Sequence, residues 1–159
     1  MAISIGSKAP DFSLKSKQGA EIKDVRLGDY LGKSNVVLLF FPLAFTSVCT
    51  AEMCSVSAGL GGYDALNAKI IGISVDSPFA QEAWARQEKI GITLASDFNK
   101  ETAFAYGTLI ENLGGFGSAS ARAAFVIDKA GVIRYSEQTP TPKDLPDLEA
   151  VKSKLAELK

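Results

Sequence analysis

The sequence predicts an α/β fold in which a central mixed β-sheet is flanked by helices. Two fully apolar runs, residues 36–41 and 70–75, predict buried strands. A segment of helical character lies between them, so the three elements predict a βαβ unit with parallel strands. A later pair of apolar runs, residues 124–127 and 132–135, flanks a short polar turn and predicts a hairpin. Parallel and antiparallel pairs are therefore expected in the same sheet.

The first 34 residues predict turns and short elements that lead into the first buried strand. The turn signals are at residues 9–11 and 17–19, a short alternating strand is at 12–14, and a loop or single helical turn is at 28–33. Pro42 ends the strand at residues 36–41, because proline has no amide hydrogen to donate to a sheet ladder.

Two helices are expected around the second apolar run. The first extends from about Ser47 to near Gly59, with a break at residues 61–62 before a short turn. The second begins at Pro78, with Ser77 as its N-cap, and continues with apolar residues at helical spacing.

The remaining elements are shorter until the last helix. They are a strand at residues 92–94, a helix at 100–106, a glycine-rich loop at 113–121 and the hairpin. A Thr-Pro-Thr-Pro linker precedes a terminal helix, which has Asp144 and Asp147 near its start and Lys159 at its end, as the helix dipole favours. Together these elements predict a thioredoxin-like fold in a single domain spanning residues 1–159.

The composition argues against several classes of function. The 159 residues include 17 Lys and Arg and 18 Asp and Glu, so the net charge of −1 gives no basic footprint for nucleic acid. No apolar run is long enough to span a bilayer and the first ten residues lack the features of a secretory signal, so a cytoplasmic location is expected. Two cysteines and no histidine argue against a disulfide framework, a Cys–His dyad and a metal site, and no cofactor is expected.

Cys49 is the candidate nucleophile. It follows Thr46 and Ser47, whose hydroxyls are expected to cap the helix, so the thiol falls in or near the first helical turn. Unpaired amide hydrogens and the positive end of the helix dipole favour the thiolate, the reactive form of cysteine. Without histidine, further activation has to come from hydrogen bonds and from Lys or Arg. A general disulfide reductase and a non-enzymatic binding module stay open here, although the former usually carries Cys-x-x-Cys at the helix start.

Residues that carry a family pattern surround this cysteine. The motif Pro42-x-x-x-Thr46-x-x-Cys49 matches the active-site pattern of the peroxiredoxin family, and Arg122 falls where that family carries an active-site arginine. The chain resembles the family over nearly its whole length. The sequence of residues 41–46 resembles that of the alkyl hydroperoxide reductase E subgroup. The Cys49-x-x-x-x-Cys54 spacing is instead similar to that of the Q-type, or bacterioferritin-comigratory, subgroup.

The resemblance implies an antioxidant oxidoreductase, a thiol-dependent peroxidase that reduces hydrogen peroxide and alkyl hydroperoxides. In that interpretation the thiolate of Cys49 attacks the peroxide, and Arg122 and Thr46 stabilise the transition state together with nearby backbone amides. Pro42 would pack over the sulfur and exclude water. The family likeness also implies a homodimer.

Cys54 is the candidate resolving cysteine, which would condense with the sulfenic acid of Cys49 to form a disulfide. On an intact helix two residues five positions apart have Cα atoms about 8.7 Å apart, beyond the roughly 7 Å that a disulfide allows. We therefore expect the helix to unwind on oxidation, and a thioredoxin- or glutaredoxin-type dithiol to reduce the disulfide. The alternative is a one-cysteine peroxidase in which Cys54 is structural and an external thiol attacks the sulfenic acid directly.

Two other residues allow more than one interpretation of their role. Glu52 either accepts hydrogen bonds within the first turn or holds an arginine, or it is a solvated helix residue. Trp84 is interpreted as a core residue, with a wall of the peroxide pocket as the lesser alternative.

Overall fold

In the computed structural model, which describes residues 2–158, strands and helices alternate along most of the chain. The nine strands of this range are β1 (Ser13–Gln18), β2 (Glu21–Arg26), β3 (Asn35–Phe40), β4 (Ala68–Ser74), β5 (Thr93–Ser96), β6 (Leu109–Ile110), β7 (Ala119–Ser120), β8 (Ala123–Ile127) and β9 (Ile133–Gln138). The five α-helices of the same range are α1 (Ser47–Ala58), α2 (Leu60–Ala65), α3 (Pro78–Glu88), α4 (Glu101–Ala105) and α5 (Leu148–Leu158).

Seven of the strands form one central sheet in the order β2-β1-β5-β4-β3-β8-β9, and β6 and β7 pair separately. The strands β3, β4 and β5 are parallel, whereas β8 and β9 pair antiparallel beside β3. The predicted βαβ unit, the predicted hairpin and the mixed sheet flanked by helices are therefore confirmed.

The apolar run of β3 reflects burial on both faces of the sheet. Val37 and Leu39 pack with the side chains of α1, α3 and α5 on one face. Val36 and Leu38 pack with the N-terminal segment and α4 on the other face. Because every residue of β3 is buried, the strand is a fixed support for the segment that follows it.

The predicted start of α3 is confirmed, and α5 begins directly after a capping aspartate. Ser77 caps α3, since its Oγ accepts a hydrogen bond from the amide of Ala80 at 3.1 Å, and Pro78 is the first helical residue. Asp147 does the same for α5 through the amide of Ala150 at 3.0 Å. Lys159, predicted at the end of the terminal helix, lies outside the described residues.

Two regions differ from the sequence predictions. Residues 17–19 were expected to be a turn after a short strand, but β1 continues to Gln18 and pairs with β2. The pairing escaped prediction because β2 is exposed at every position except Val25, so it has no apolar alternation. The break expected at residues 61–62 is absent, because these glycines lie in α2, which the burial of Tyr63 anchors to the core.

No helix within residues 2–158 combines the length and the apolar character needed to cross a membrane.

Candidate active site

The segment between β3 and α1 is held in a defined conformation. Pro42 is buried directly after the strand, and the amide of Ala44 donates to the Asp76 carboxylate at 2.8 Å. Phe45 has φ +68°, in the left-handed region that non-glycine residues rarely adopt. Its side chain is 53% exposed. The chain therefore makes a tight, anchored bend immediately before the helix.

Thr46 occupies the N-cap position of α1, with extended φ and ψ angles, but its side chain does not cap the helix. Its hydroxyl instead donates to the carbonyl of Leu43 at 2.7 Å, because the bend brings that carbonyl within reach. The expectation that the Thr46 and Ser47 hydroxyls cap the helix is therefore wrong, since no side chain caps this end of α1 and Ser47 is its first helical residue. The first helical hydrogen bond runs from the Thr50 amide to the Thr46 carbonyl at 2.9 Å.

Cys49 lies in the first turn of α1, where the amides that precede Thr50 have no helical acceptor. Its side chain is 1% exposed. Nη2 of Arg122 is 3.1 Å from the Cys49 sulfur. The structure thus brings together the two residues for which the sequence predicted the central contact of the site.

Arg122 connects β7 to β8 and is 2% exposed. Its Nη1 donates to the Glu52 carboxylate at 2.7 Å, and Nε and Nη2 donate to the Pro142 carbonyl at 3.0 and 2.8 Å. The backbone carbonyl of Arg122 accepts from the amide of Thr139 at 3.0 Å. Together with the contact to Cys49, the side-chain contacts engage four of the five guanidinium hydrogens and fix the plane of the cation beside the sulfur.

Glu52 is buried and holds an arginine, so its reading as a solvated helix residue is wrong. Burial raises the pKa of Glu52 to about 7, although the charge and hydrogen bond of Arg122 act in the opposite direction. Its second carboxylate oxygen, Oε2, has no hydrogen-bond partner. The spacing of Cys49 and Glu52, three positions apart on a helix, places both on the face turned to Arg122.

Cys54 lies farther along the same helix and is partly buried. Its thiol contacts the Glu88 carbonyl at 3.7 Å. Trp84 is fully buried in the core, as expected, and its indole Nε1 donates to the Thr50 hydroxyl at 3.0 Å. Both contacts fasten α1 to α3.

The linker at residues 139–142 is the part of the site that sequence reasoning missed. It supplies the amide of Thr139 and the carbonyl of Pro142 to Arg122. Both groups belong to the main chain, so the residue types there carry no signal of the contact.

Comparison with known proteins gives the same picture over most of the chain. Residues 5–136 match the sequence model of the AhpC/TSA family. The chain is 37% identical over 139 residues to the chloroplastic 2-Cys peroxiredoxin BAS1 of Hordeum vulgare, covering 83% of this chain and 64% of that protein. It is 37% identical over 143 residues to the chloroplastic 2-cysteine peroxiredoxin of Chattonella marina, covering 86% and 71%.

Among solved structures, the reduced 2-Cys peroxiredoxin of Plasmodium vivax superposes with a TM-score of 0.86 at 27% identity, covering 95% of this chain and 79% of that one. The chain spans only about half to two thirds of the length of the land-plant relatives, 51% for those of Spinacia oleracea and Arabidopsis thaliana.

Proposed function

This chain belongs to the AhpC/TSA family of peroxiredoxins, and on that premise we propose that it is a thiol-dependent peroxidase that reduces hydrogen peroxide and alkyl hydroperoxides. The observation that carries the proposal is the 3.1 Å contact between the Arg122 guanidinium and the buried sulfur of Cys49. A permanent cation next to a thiol stabilises the thiolate, which is the form that attacks a peroxide.

In the proposed reaction the Cys49 thiolate attacks one peroxide oxygen. A sulfur–oxygen bond forms, the oxygen–oxygen bond breaks, and the second oxygen leaves as alkoxide or hydroxide that takes up a proton. Negative charge moves from sulfur to the leaving oxygen, so donors fixed along that path stabilise the transition state. Arg122 suits this role because Glu52 and the Pro142 carbonyl already hold its guanidinium in place.

Thr46 is proposed to orient the peroxide. Its single hydroxyl hydrogen is committed to the Leu43 carbonyl, which leaves lone pairs that can accept the hydrogen of an incoming hydroperoxide. The backbone amides of Val48 and Cys49, at the start of α1, would donate to the peroxide oxygens. Pro42, buried at the end of β3, is proposed to exclude water from the sulfur.

Cys54 is proposed to resolve the sulfenic acid by forming a disulfide with Cys49. Both cysteines lie in the continuous helix α1, where a spacing of five residues puts their Cα atoms about 8.7 Å apart. A disulfide needs less than about 7 Å. The reaction therefore requires the first turns of α1 to unwind, and a thioredoxin- or glutaredoxin-type protein would then reduce the bond.

The rival assignment is a one-cysteine peroxidase, in which an external thiol attacks the sulfenic acid of Cys49. The contact of Cys54 with the Glu88 carbonyl is compatible with a purely structural cysteine. The two assignments share the first chemical step and differ only in the second.

A homodimer is proposed as the working assembly. Three aromatic side chains beside the bend and the start of α3 are more than half exposed: Phe45 at 53%, Phe79 at 60% and Phe98 at 64%. Phe79 and Phe98 line one surface depression, and exposed apolar patches are typical of protein interfaces. If a second copy covers them, Phe79→Glu will lower the molecular mass measured by analytical ultracentrifugation. A cytoplasmic location stays a prediction.

A peroxide pulse tests the function. Reduced protein is mixed with one equivalent of hydrogen peroxide, quenched at increasing times with a thiol-blocking reagent and analysed by peptide mass spectrometry. We expect Cys49 to oxidise first and rapidly, and Cys49→Ser to abolish peroxide consumption. A disulfide reductase or a binding module would leave Cys49 unmodified on this timescale, and that result would overturn the proposal.

A further inference from the structure

One guanidinium serves two acids of the same helix. Arg122 contacts the Cys49 sulfur through Nη2 at 3.1 Å and the Glu52 carboxylate through Nη1 at 2.7 Å. Cys49 and Glu52 are each 1% exposed. Within residues 2–158, Arg122 is the only cation that forms an ion pair with Glu52.

The charge balance of this buried triad depends on how many of the two acids are ionised. With one acid ionised, the cation is neutralised. With both ionised, the triad carries one uncompensated negative charge away from water, which is unfavourable in a medium of low dielectric constant. The ionisation of either acid therefore opposes the ionisation of the other, as in other pairs of acids that share a site.

We propose that Cys49 and Glu52 compete for the single positive charge of Arg122, so that Glu52 holds a proton while Cys49 is a thiolate and releases it when the sulfur loses its charge. Glu52 is thereby a positioning and charge-balancing residue, because it acts on the sulfur through Arg122 and does not touch the peroxide. This inference adds a mode of regulation to the proposed peroxidase function and rests on it for the peroxide step.

The surroundings of Glu52 favour a proton on this carboxyl. Its Oε2 is buried without a hydrogen-bond partner, an arrangement that penalises a full carboxylate charge. Glu137 on β9 adds a second negative charge that acts in the same direction as burial, and Arg122 opposes both. Burial raises the pKa of Tyr63 on α2 to about 12, and the charges of Glu149 and Glu52 act in the same direction.

The coupling gives a balanced proton account for the first step. The thiolate attacks the peroxide ROOH and becomes the neutral sulfenic acid, while the leaving alkoxide needs one proton. Once the sulfur is neutral, Arg122 is free to stabilise the Glu52 carboxylate, which releases that proton. Thiolate, peroxide and protonated Glu52 thus give sulfenic acid, alcohol and ionised Glu52, with the net charge of the triad unchanged.

The test is a pH titration of the thiolate by its ultraviolet absorbance, carried out in a Cys54→Ser background so that Cys49 is the only thiol. Glutamine cannot ionise, so Glu52→Gln keeps the uncharged side chain that the proposal assigns to the thiolate state, and the thiolate signal is expected at the same pH as with Glu52 or at a lower one. A merely structural role would move the thiolate signal to higher pH, because a badly placed Arg122 stabilises the thiolate less. Glu111→Gln, which removes an equal charge from an exposed position, is expected to leave the titration unchanged.

A second measurement does not depend on the folding of a variant. The infrared difference spectrum between reduced and S-alkylated Cys54→Ser protein is expected to show loss of the carbonyl band of a protonated carboxyl. A shift of the thiolate signal to higher pH in Glu52→Gln, or the absence of that band, would overturn the proposed competition. If Cys49 reacts with peroxide and the carboxyl band is absent, only this inference fails. If Cys49 does not react with peroxide, the proposed function fails whatever the titrations show.

Discussion

The two cysteines of α1 have different partners, although they lie only five residues apart. Cys49, in the first turn, is almost fully buried and contacts the Arg122 guanidinium. Cys54 is more exposed, and its sulfur contacts only a carbonyl oxygen, that of Glu88. A guanidinium stabilises a sulfur anion, whereas a carbonyl oxygen favours the protonated thiol that can donate to it. The comparison teaches that the charge of the neighbouring group, more than exposure, favours Cys49 as the sulfur that attacks peroxide in the proposed reaction.

The same comparison separates two kinds of anchoring within one helix. The first turn is tied to the sheet through an ionic network centred on Arg122. The later turns are tied to α3 and the loop after it by neutral contacts, including the 2.6 Å hydrogen bond from the Gly91 amide to the Ser57 hydroxyl. In the proposed reaction, oxidation of Cys49 removes the negative charge that the ionic network binds, so we expect the first turn of α1 to be the part that oxidation loosens.

Removal of Arg122 should give the largest effect on the contrast between the cysteines. Arg122→Met deletes the cation and its donors, and loss of one preorganised donor to a developing anion typically costs about 10²–10³-fold in rate. We expect a loss of at least this size in the second-order rate of Cys49 oxidation, measured by rapid quench and mass spectrometry. The matched control is Arg86→Met, an exposed arginine paired with Glu82. Equal rates in the two variants would show that the buried cation does not activate Cys49.

Substitution of Cys54 tests the second step without touching the first. In Cys54→Ser we expect Cys49 to oxidise at close to the wild-type rate, because the charged network is intact. Turnover supported by thioredoxin, followed by NADPH consumption in a coupled assay, is expected to fall to background. Retained turnover would assign resolution to an external thiol and make Cys54 structural.

The sequence was sufficient to predict those parts of this molecule whose structure depends on the type and position of side chains. Residues 36–41 predicted a buried strand because apolar side chains are needed on both faces, and β3 is observed within one residue of that range. The Cys49–Arg122 contact was expected from the family resemblance, and the two residues are 73 positions apart in the chain. The position of Cys49 in the first turn agrees with the predicted helix start near Ser47, although no hydroxyl caps that end.

Features that depend on the main chain or on tertiary burial were not predictable. The Pro142 carbonyl that orients Arg122 could belong to any residue type. The hydroxyl of Thr46 turned to the Leu43 carbonyl because of the bend at Phe45, which has a backbone conformation that its residue type does not suggest. Glu52 could have been a solvated residue or the partner of an arginine, and only its burial in the folded protein distinguishes the two.

Unwinding of α1 is expected to distinguish the structure of the oxidised protein from that of the reduced protein. If the disulfide between Cys49 and Cys54 forms, the amides of residues 46–57 must lose their helical hydrogen bonds, since the intact helix keeps the cysteines too far apart. We expect hydrogen exchange in this segment to be much faster after peroxide treatment, with little change in β3. The same treatment of Cys54→Ser should leave α1 protected. Equal exchange in the oxidised and reduced wild type would contradict the model of local unfolding.

The buried carboxyl of Glu52 predicts a specific pH dependence of stability. Its pKa is raised from an ordinary value of 4.5 to about 7 in the folded protein, so the folded state binds this proton more tightly than the unfolded state does. The resulting stabilisation is complete below about pH 4 and is lost as the pH rises through about 7. The free energy of unfolding of the wild type should therefore decline relative to that of Glu52→Gln between about pH 4.5 and 7, as measured by urea denaturation. A difference that is constant with pH would argue against this assignment.

The smallest effect concerns the hydrogen bond from the Trp84 indole to the Thr50 hydroxyl, which joins α3 to the first half of α1. Thr50→Val keeps the shape of the side chain but leaves the buried indole N–H without an acceptor, which costs about 1–3 kcal/mol. Thr50→Ser keeps the hydroxyl and is the matched control. We expect urea denaturation to show the loss for valine and much less for serine. Because the bond reaches α1 next to Cys49, the valine variant should also open residues 46–57 more often in the reduced state. A stability loss of the same size with unchanged exchange in α1 would mean that Thr50 stabilises the fold without restraining this helix.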